Sequence, residues 1–295
     1  MTNSVDRHAL SKVPAVTLGF WIAKILATTL GETAGDTVSM TWNLGYLIGT
    51  VIFSLALLVF VTFQVRAGRY HPALYWATIV ASTTAGTTLA DFADRSLGIG
   101  YAGGTTVLLV LVLGSLALWK AVVGRISSTH IVSGRAEVFY WLTITCSQTL
   151  GTAIGDWAAD DAGLGYVGGT AVFGSAIAIV AGLYFFTRAN RTALFWAAFI
   201  LTRPLGATVG DFLDKPLGEG GLALSRPLAS AVLMLLLVII VAMTARSGAR
   251  QTEDDRAAAC VGSPDALAGD HGRNDRPHCS QGNARERRHR LTGAP

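Results

Sequence analysis

The sequence predicts an all-α integral membrane fold of eight transmembrane helices, built from four tandem two-helix repeats in two duplicated halves. Three observations carry this. The chain is 51% hydrophobic and only 14% charged over 295 residues, where a soluble domain carries about 25% charged residues. Its apolar runs reach the length of about 20 residues that a bilayer-spanning helix needs. A short motif also recurs four times in register, and internal repeats govern every later reading of a fold.

The motif reads GETAGD at 31–36, GTTLAD at 86–91, GTAIGD at 151–156 and GATVGD at 206–211. Each copy closes an apolar segment and ends in an aspartate: Asp36, Asp91, Asp156 and Asp211. Fifteen positions before each stands Trp21, Trp76, Trp141 or Trp196, preceded by Phe or Tyr, and nine positions after stands Gly45, Gly100, Gly165 or Gly220. Tyr46, Tyr101 and Tyr166 follow the glycine in three copies, and Gly221 in the fourth. The aspartates are 55, 65 and 55 residues apart, and DFADRSLG at 91–98 is closest to DFLDKPLG at 211–218. A two-helix unit that duplicated, and then duplicated again as a pair, explains both facts.

Taken in order, residues 1–12 are a short polar lead. Apolar runs near 15–34, 42–64, 74–92 and 101–121 make the first membrane half, residues 13–125. His71-Pro72 suits a helix start, because proline at the first helical position forfeits no intrahelical bond. A linker at 122–136, longer than its counterparts, leads into the second half, residues 126–246, with runs near 138–157, 164–186, 193–213 and 225–245. The aromatic–Trp pairs open the odd-numbered helices, where amphipathic rings suit the headgroup layer as an interfacial belt. Residues 247–295 turn charge-mixed, Gly- and Arg-rich and almost free of aromatics, a composition that cannot bury enough apolar surface to order itself. His271, His278, Cys279 and His289 in that tail do not have the spacing of a closed metal site. Cys146, Cys260 and Cys279 form no disulfide framework.

Lys and Arg set the orientation. Arg7, Lys12, Arg66, Arg69, Lys120, Arg125, Arg135, Arg188, Arg191, Arg246 and Arg250 gather on one side, against Arg95, Lys215 and Arg226 on the other. Both ends of the chain are therefore expected in the cytoplasm, with the four aspartates toward the outer face. The net charge of +4 reflects this bias and implies no nucleic-acid partner. The first apolar run is itself the first repeat copy, so no cleavable signal peptide is expected.

The residues able to carry chemistry sit on the odd helices. Gly31/Gly35, Gly151/Gly155 and Gly206/Gly210, with Gly86 beside Ala90, put small residues one turn apart, which lets neighbouring helices approach closely. The aspartates read either as solvated caps of the outer helix ends or as an intramembrane ion path. From Trp to Asp is 15 residues, about 22 Å at 1.5 Å per residue, which sets the acids in the outer part of a core about 30 Å thick. Asp94, Asp160, Asp161 and Asp214, farther along, are expected to be solvated. Lys24 and Arg203 lie deep in apolar helices, eight residues before Glu32 and Asp211. Their costly charges require partners, which other helices can supply. At the matched position Thr28, Thr83 and Gln148 stand where the fourth repeat has Arg203. Thr28, Thr29, Thr83, Thr84, Ser147 and Thr149 add hydroxyls that often bond their own helix.

Four two-helix units with Trp, Gly-x-x-x-Gly-Asp and Gly-Tyr, spanning residues 15–246, resemble the bacterial membrane-anchored proteins built from a repeat of unknown function. The resemblance implies a multi-pass protein of a bacterial inner membrane and no established substrate. Of the Glu-x-Gly-Asp pattern of cation/proton exchangers only Glu32-Thr33-Ala34-Gly35-Asp36-Thr37 comes near. It has an extra residue before the glycine and no base after Asp36. Glu32 and Asp36 share a helix face at i, i+4, and Asp36, Asp156 and Asp211 are expected to converge with them on one cavity. Five acids (Glu32 and the four aspartates) against Lys24 and Arg203 give a net of −3, which favours a small cation or a proton as partner besides the lipid bilayer. The expected function is transport of such a cation, and the alternative is a non-transporting scaffold or sensor. No His-rich metal motif, nucleophile elbow or phosphate loop marks an enzyme or implies a cofactor.

Overall fold

The computed structural model describes residues 12–124, 126 and 134–261. The first eleven residues, most of the linker and the tail beyond 261 lie outside them, and so do the expectations made there. Eight α-helices run through the described residues: α1 (Leu18–Asp36), α2 (Gly45–Arg66), α3 (Pro72–Asp91), α4 (Tyr101–Val123), α5 (Gly134–Asp156), α6 (Gly165–Phe186), α7 (Arg191–Asp214) and α8 (Arg226–Val261). They match the apolar runs to within a few residues except for α8, which continues past 245 to Val261. Its Ala-rich end is made of good helix formers, so the first part of the expected tail is helical. Thr17 caps α1, Asn190 caps α7 through its side-chain oxygen, and Pro72 opens α3.

The odd helices form a closed ring in which α1 packs on α3, α3 on α5, α5 on α7 and α7 on α1. The repeat glycines are the seams. A Cβ on Gly31 would stand 2.4 Å from Thr83, on Gly86 2.9 Å from the Thr149 backbone nitrogen, on Gly151 2.3 Å from Arg203 and on Gly206 2.3 Å from Thr28. Each is therefore a glycine of one repeat set against the next repeat, and the fourth against the first. Gly35 and Gly210 repeat the contact one turn on, against Thr87 and Glu32, and Gly155 meets Ala207.

The even helices pack outside this ring, each on the odd helix that follows it: α2 on α3, α4 on α5 and α6 on α7. Helix α8 meets α1, through Ser230 to Thr33 (2.9 Å) and through Leu233 and Leu237 in the shared core. The two helices of one sequence repeat thus belong to different packed pairs. Among the described residues five helices are long and apolar enough to cross a membrane, α2, α4, α6, α7 and α8. Helices α1, α3 and α5 are more polar and mostly buried, with Leu18, Ile22, Leu89, Val138 and Leu142 among their exposed apolar residues.

At one end the ring is filled with rings of another kind. Phe20, Tyr75, Tyr140 and Phe195 are all buried, as are Trp76, Trp141 and Trp196. Tyr75 and Tyr140 share a hydrogen bond of 2.8 Å between their hydroxyls, and the indoles pack edge-on against their neighbours. The pairs expected as an interfacial belt pack instead into a core, with Trp21 alone of their four indoles part-exposed. Ring closure turns these aromatic faces inward, where they bury far more apolar area than headgroups would cover.

At the other end the odd helices loosen. Three of them pass into a π-turn, Thr37–Thr41, Phe92–Ser96 and Trp157–Asp161. In the fourth repeat Pro216 cannot donate a continuing backbone bond, and a short 3-10 turn, Leu217–Glu219, stands there instead. The matched glycines Gly45, Gly100, Gly165 and Gly220 have φ of 79°, 74°, 63° and 86°. Only glycine adopts that region without strain, so this recurrent residue marks the turn into each even helix or, in the fourth repeat, the turn that precedes α8.

Candidate functional site

The site is built from layers along the axis of the inner ring. Eight positions before the aspartates lie Thr28, Thr83, Gln148 and Arg203, and four before them Glu32, Thr87, Thr152 and Ala207. The aspartates themselves follow, all buried. Arg203 is fully buried and reaches across the axis. Its Nη2 lies 3.0 Å from Glu32 Oε2 and donates to the hydroxyls of Thr87 and Thr152, while its guanidinium also approaches the carbonyls of Thr28 and Thr83 at 3.5 Å. One side chain thus touches all three other repeats.

Lys24 takes a different environment from the one its spacing to Glu32 suggested. It is fully buried one turn below, with Gln148 Oε1 at 3.5 Å and the Phe199 ring centroid at 4.2 Å from Nζ. Glu32 is met by Arg203 alone among these two cations. The hydroxyls behave mostly as expected, Thr28, Thr84, Ser147 and Thr149 bonding carbonyls of their own helices.

Beyond the aspartates lie residues that sequence reasoning missed as members of the site. Arg95 Nε is 3.2 Å from Asp91, and its Nη2 is 3.8 Å from Asp156. Lys215 Nζ bridges Asp36 at 3.0 Å and Asp211 at 3.1 Å. Arg226 Nε pairs with Asp214 at 3.0 Å and approaches Asp36 at 3.8 Å. These are the three bases counted above only as sparse loop charges. Asp94 and Asp214, expected in solvent, are buried, whereas Asp160 and Asp161 are exposed. Asp94 and Asp214 stand three positions after their aspartates, where the third repeat has the equally buried Ala159, whereas Asp160 and Asp161 stand four and five after Asp156. Burial holds the Asp94 carboxyl up at about 6, with Arg95 opposing the shift. For Lys215 burial opposes the charge, but Asp211, Asp36 and Asp214 outweigh it and hold the ammonium well above the ordinary lysine range.

Tyr46 and Tyr101, from the Gly-Tyr motif, flank Arg95 with ring centroids 5.9 and 6.0 Å from its guanidinium carbon. Above them opens a pocket of about 440 Å³ lined by Arg95, Asp160, Tyr166, Lys215, Glu219 and Arg226, with Met40 and Pro216.

The structure brings the acids of different repeats together. One oxygen each from Glu32, Asp156 and Asp211 lies within 4.8 Å of the other two, and Asp36, Asp211 and Asp214 form a second such group. Asp91 is in neither group and pairs with Arg95, which links it to Asp156. The ion pairs of this cluster hold six carboxylates and four cations (Arg95, Arg203, Lys215 and Arg226), a formal −2 with every group ionised. Asp91–Arg95 and Asp211–Lys215 are i, i+4 pairs, and that spacing was the signal available in the sequence.

The Repeat of Unknown Function family (DUF347) matches residues 19–70, 74–124, 139–190 and 194–250. The chain belongs to this family. Each family repeat takes in the Asp end of one odd helix and the even helix after it, so the DUF347 unit in sequence is split between two packed pairs in space. No curated protein and no solved structure matches the chain.

Proposed function

We propose that this DUF347 chain is an eight-span protein of a bacterial inner membrane that carries a small cation along the axis of its inner ring. The observation that carries this reading is the convergence of buried acids from three repeats, Glu32, Asp156 and Asp211, within 4.8 Å of one another. Ionisable groups at membrane depth are costly and mark ion or proton paths, and the net of −2 favours a cation. Parallel repeats about an axis along the membrane normal are a known transporter plan. The polar helices α1, α3 and α5 are the remaining three spans, screened from lipid by their apolar neighbours. Lys and Arg bias puts both ends of the chain in the cytoplasm. The Tyr75–Tyr140 layer closes the cytoplasmic end of the axis, and the 440 Å³ pocket opens it outward.

A scaffold or sensor is the second reading. It is favoured by the ion pairs that already hold Glu32, Asp36, Asp91 and Asp211 within 3.2 Å of a cation. Flux in proteoliposomes against protons, monovalent and divalent cations separates the two. Transport predicts flux above protein-free vesicles, lost in Asp36→Asn and Asp156→Asn variants that still insert. Absence of flux for every cation tested would leave the scaffold. Cysteine labelling from outside should reach positions 160 and 161 and spare the 125–133 linker, and the reverse pattern would overturn the orientation.

A further inference from the structure

We propose that Glu32, Asp156 and Asp211 form a binding site for one hard divalent cation of the calcium or manganese kind. This deepens the transport reading above and rests on it for its physiological use. The three residues are 2%, 3% and 4% exposed and come from α1, α5 and α7. A cation with oxygen ligands at about 2.3–2.6 Å sets opposite ligands about 4.6–5.2 Å apart, and one oxygen from each of the three lies within 4.8 Å of the others.

Asp156 is what separates this group from an internally satisfied salt-bridge cluster. Among the described residues its Oδ1 is buried with no hydrogen-bond partner, and the one cation paired with it, Arg95, stops at 3.8 Å from Oδ2. A carboxylate left so in a protein interior carries a desolvation cost that only a further cation or proton offsets. The second group, Asp36 with Asp211 and Asp214, is already spanned by Lys215 and Arg226 at 3.0–3.1 Å and needs none. Donor chemistry narrows the class further. The site offers carboxylates, with the Thr87 hydroxyl 3.3 Å from Glu32 Oε2 and that of Thr152 joined to it through Arg203. Oxygen donors of this type suit calcium or manganese rather than zinc or copper, which favour imidazole and thiolate. Arg203 sits on Glu32 and Lys215 on Asp211, so both bases compete with a metal for these carboxylates, and Asp156 is the member that neither holds.

The full chain purified in detergent tests this with manganese as the probe, read by loss of the free-ion paramagnetic resonance signal and by calcium competition. One manganese per chain is expected, displaced by calcium. Asp156→Asn should weaken it at least tenfold while keeping the wild-type melting temperature within a few degrees, because the carboxylate gives up only a long 3.8 Å contact with Arg95. Asp161→Asn, exposed and outside the group, should bind as wild type. Wild-type affinity in Asp156→Asn overturns the site, and a loss confined to Asp214→Asn moves the ion to the second group and overturns it as well. Flux of a proton or monovalent cation without manganese binding sinks this inference and leaves transport standing. Manganese binding with no flux of any cation does the reverse.

Discussion

The inner ring of α1, α3, α5 and α7 and the outer set of α2, α4, α6 and α8 are built from opposite compositions. In the outer helices only 6–17% of the most apolar stretch is buried, while in α7 the share is 67%. The outer helices turn leucine, valine and isoleucine away from the protein, and the inner ones turn threonine, glycine and charge toward one another. Apolarity therefore marks the helices that would meet lipid, and polarity marks those that meet each other.

Replacing Arg203 strikes this contrast hardest. Arg203→Leu removes the group that joins the four inner helices and leaves Glu32 buried without its cation, which costs about 3–5 kcal/mol for a broken buried pair. Unfolding in detergent should show it, and a wild-type melting curve would mean that the ring is held by packing alone. Leu55, mid-way along α2 and 58% exposed, tests the outer set. Leu55→Arg should cost about 2.5–3.5 kcal/mol of insertion and lower the membrane-embedded yield, whereas an unchanged yield would deny that this face meets lipid. Glycines sharpen the comparison next. In the inner ring a Cβ at Gly206 would lie 2.8 Å from the Thr28 carbonyl carbon, and at Gly174 on α6 it would meet nothing within 4 Å. Gly206→Val should destabilise by about 1–3 kcal/mol through overpacking, and Gly174→Val should stay within about 0.5 kcal/mol.

The smallest effect belongs to the mouth. Burial lifts the Asp94 carboxyl from 3.8 to about 6. A raised carboxyl means that the folded state holds its proton longer, so stability falls as pH rises from about 4 through 6. Asp94→Asn should melt higher than wild type above pH 7 and match it below pH 4. Equal melting at both would show that this carboxyl is solvated, as first expected.

Much of the fold could be read from residue spacing. The register of Trp, Gly and Asp gave four units, and the apolar runs gave eight helices to within a few residues, because both depend on neighbours along the chain. What could not be read is which neighbour lies across the ring. Amphipathic rings such as Trp76 and Tyr140 suit a headgroup layer and a core equally well, and only closure of the ring decides between them. The Arg203–Glu32 pair joins residues 171 positions apart, and no local rule connects them. Arg95 and Lys215 were within reach, one helical turn after their aspartates, but a count of loop charges by side hides a partner on the same helix.

Ring closure also bears on how the chain could have come to be. A protein of two repeats would leave the outer face of its first helix uncovered and its last helix without a partner, and two such proteins would satisfy each other about a twofold axis. In that ancestor every axial residue would occur twice. A guanidinium at the position of Arg203 would then face its own copy, and two like charges about 4 Å apart cost about 4 kcal/mol even at an effective dielectric of 20. Joining the halves into one polypeptide removes that constraint, since each position can then change alone. Threonine, threonine, glutamine and arginine at the four matched positions are a division of labour that only a fused gene can write.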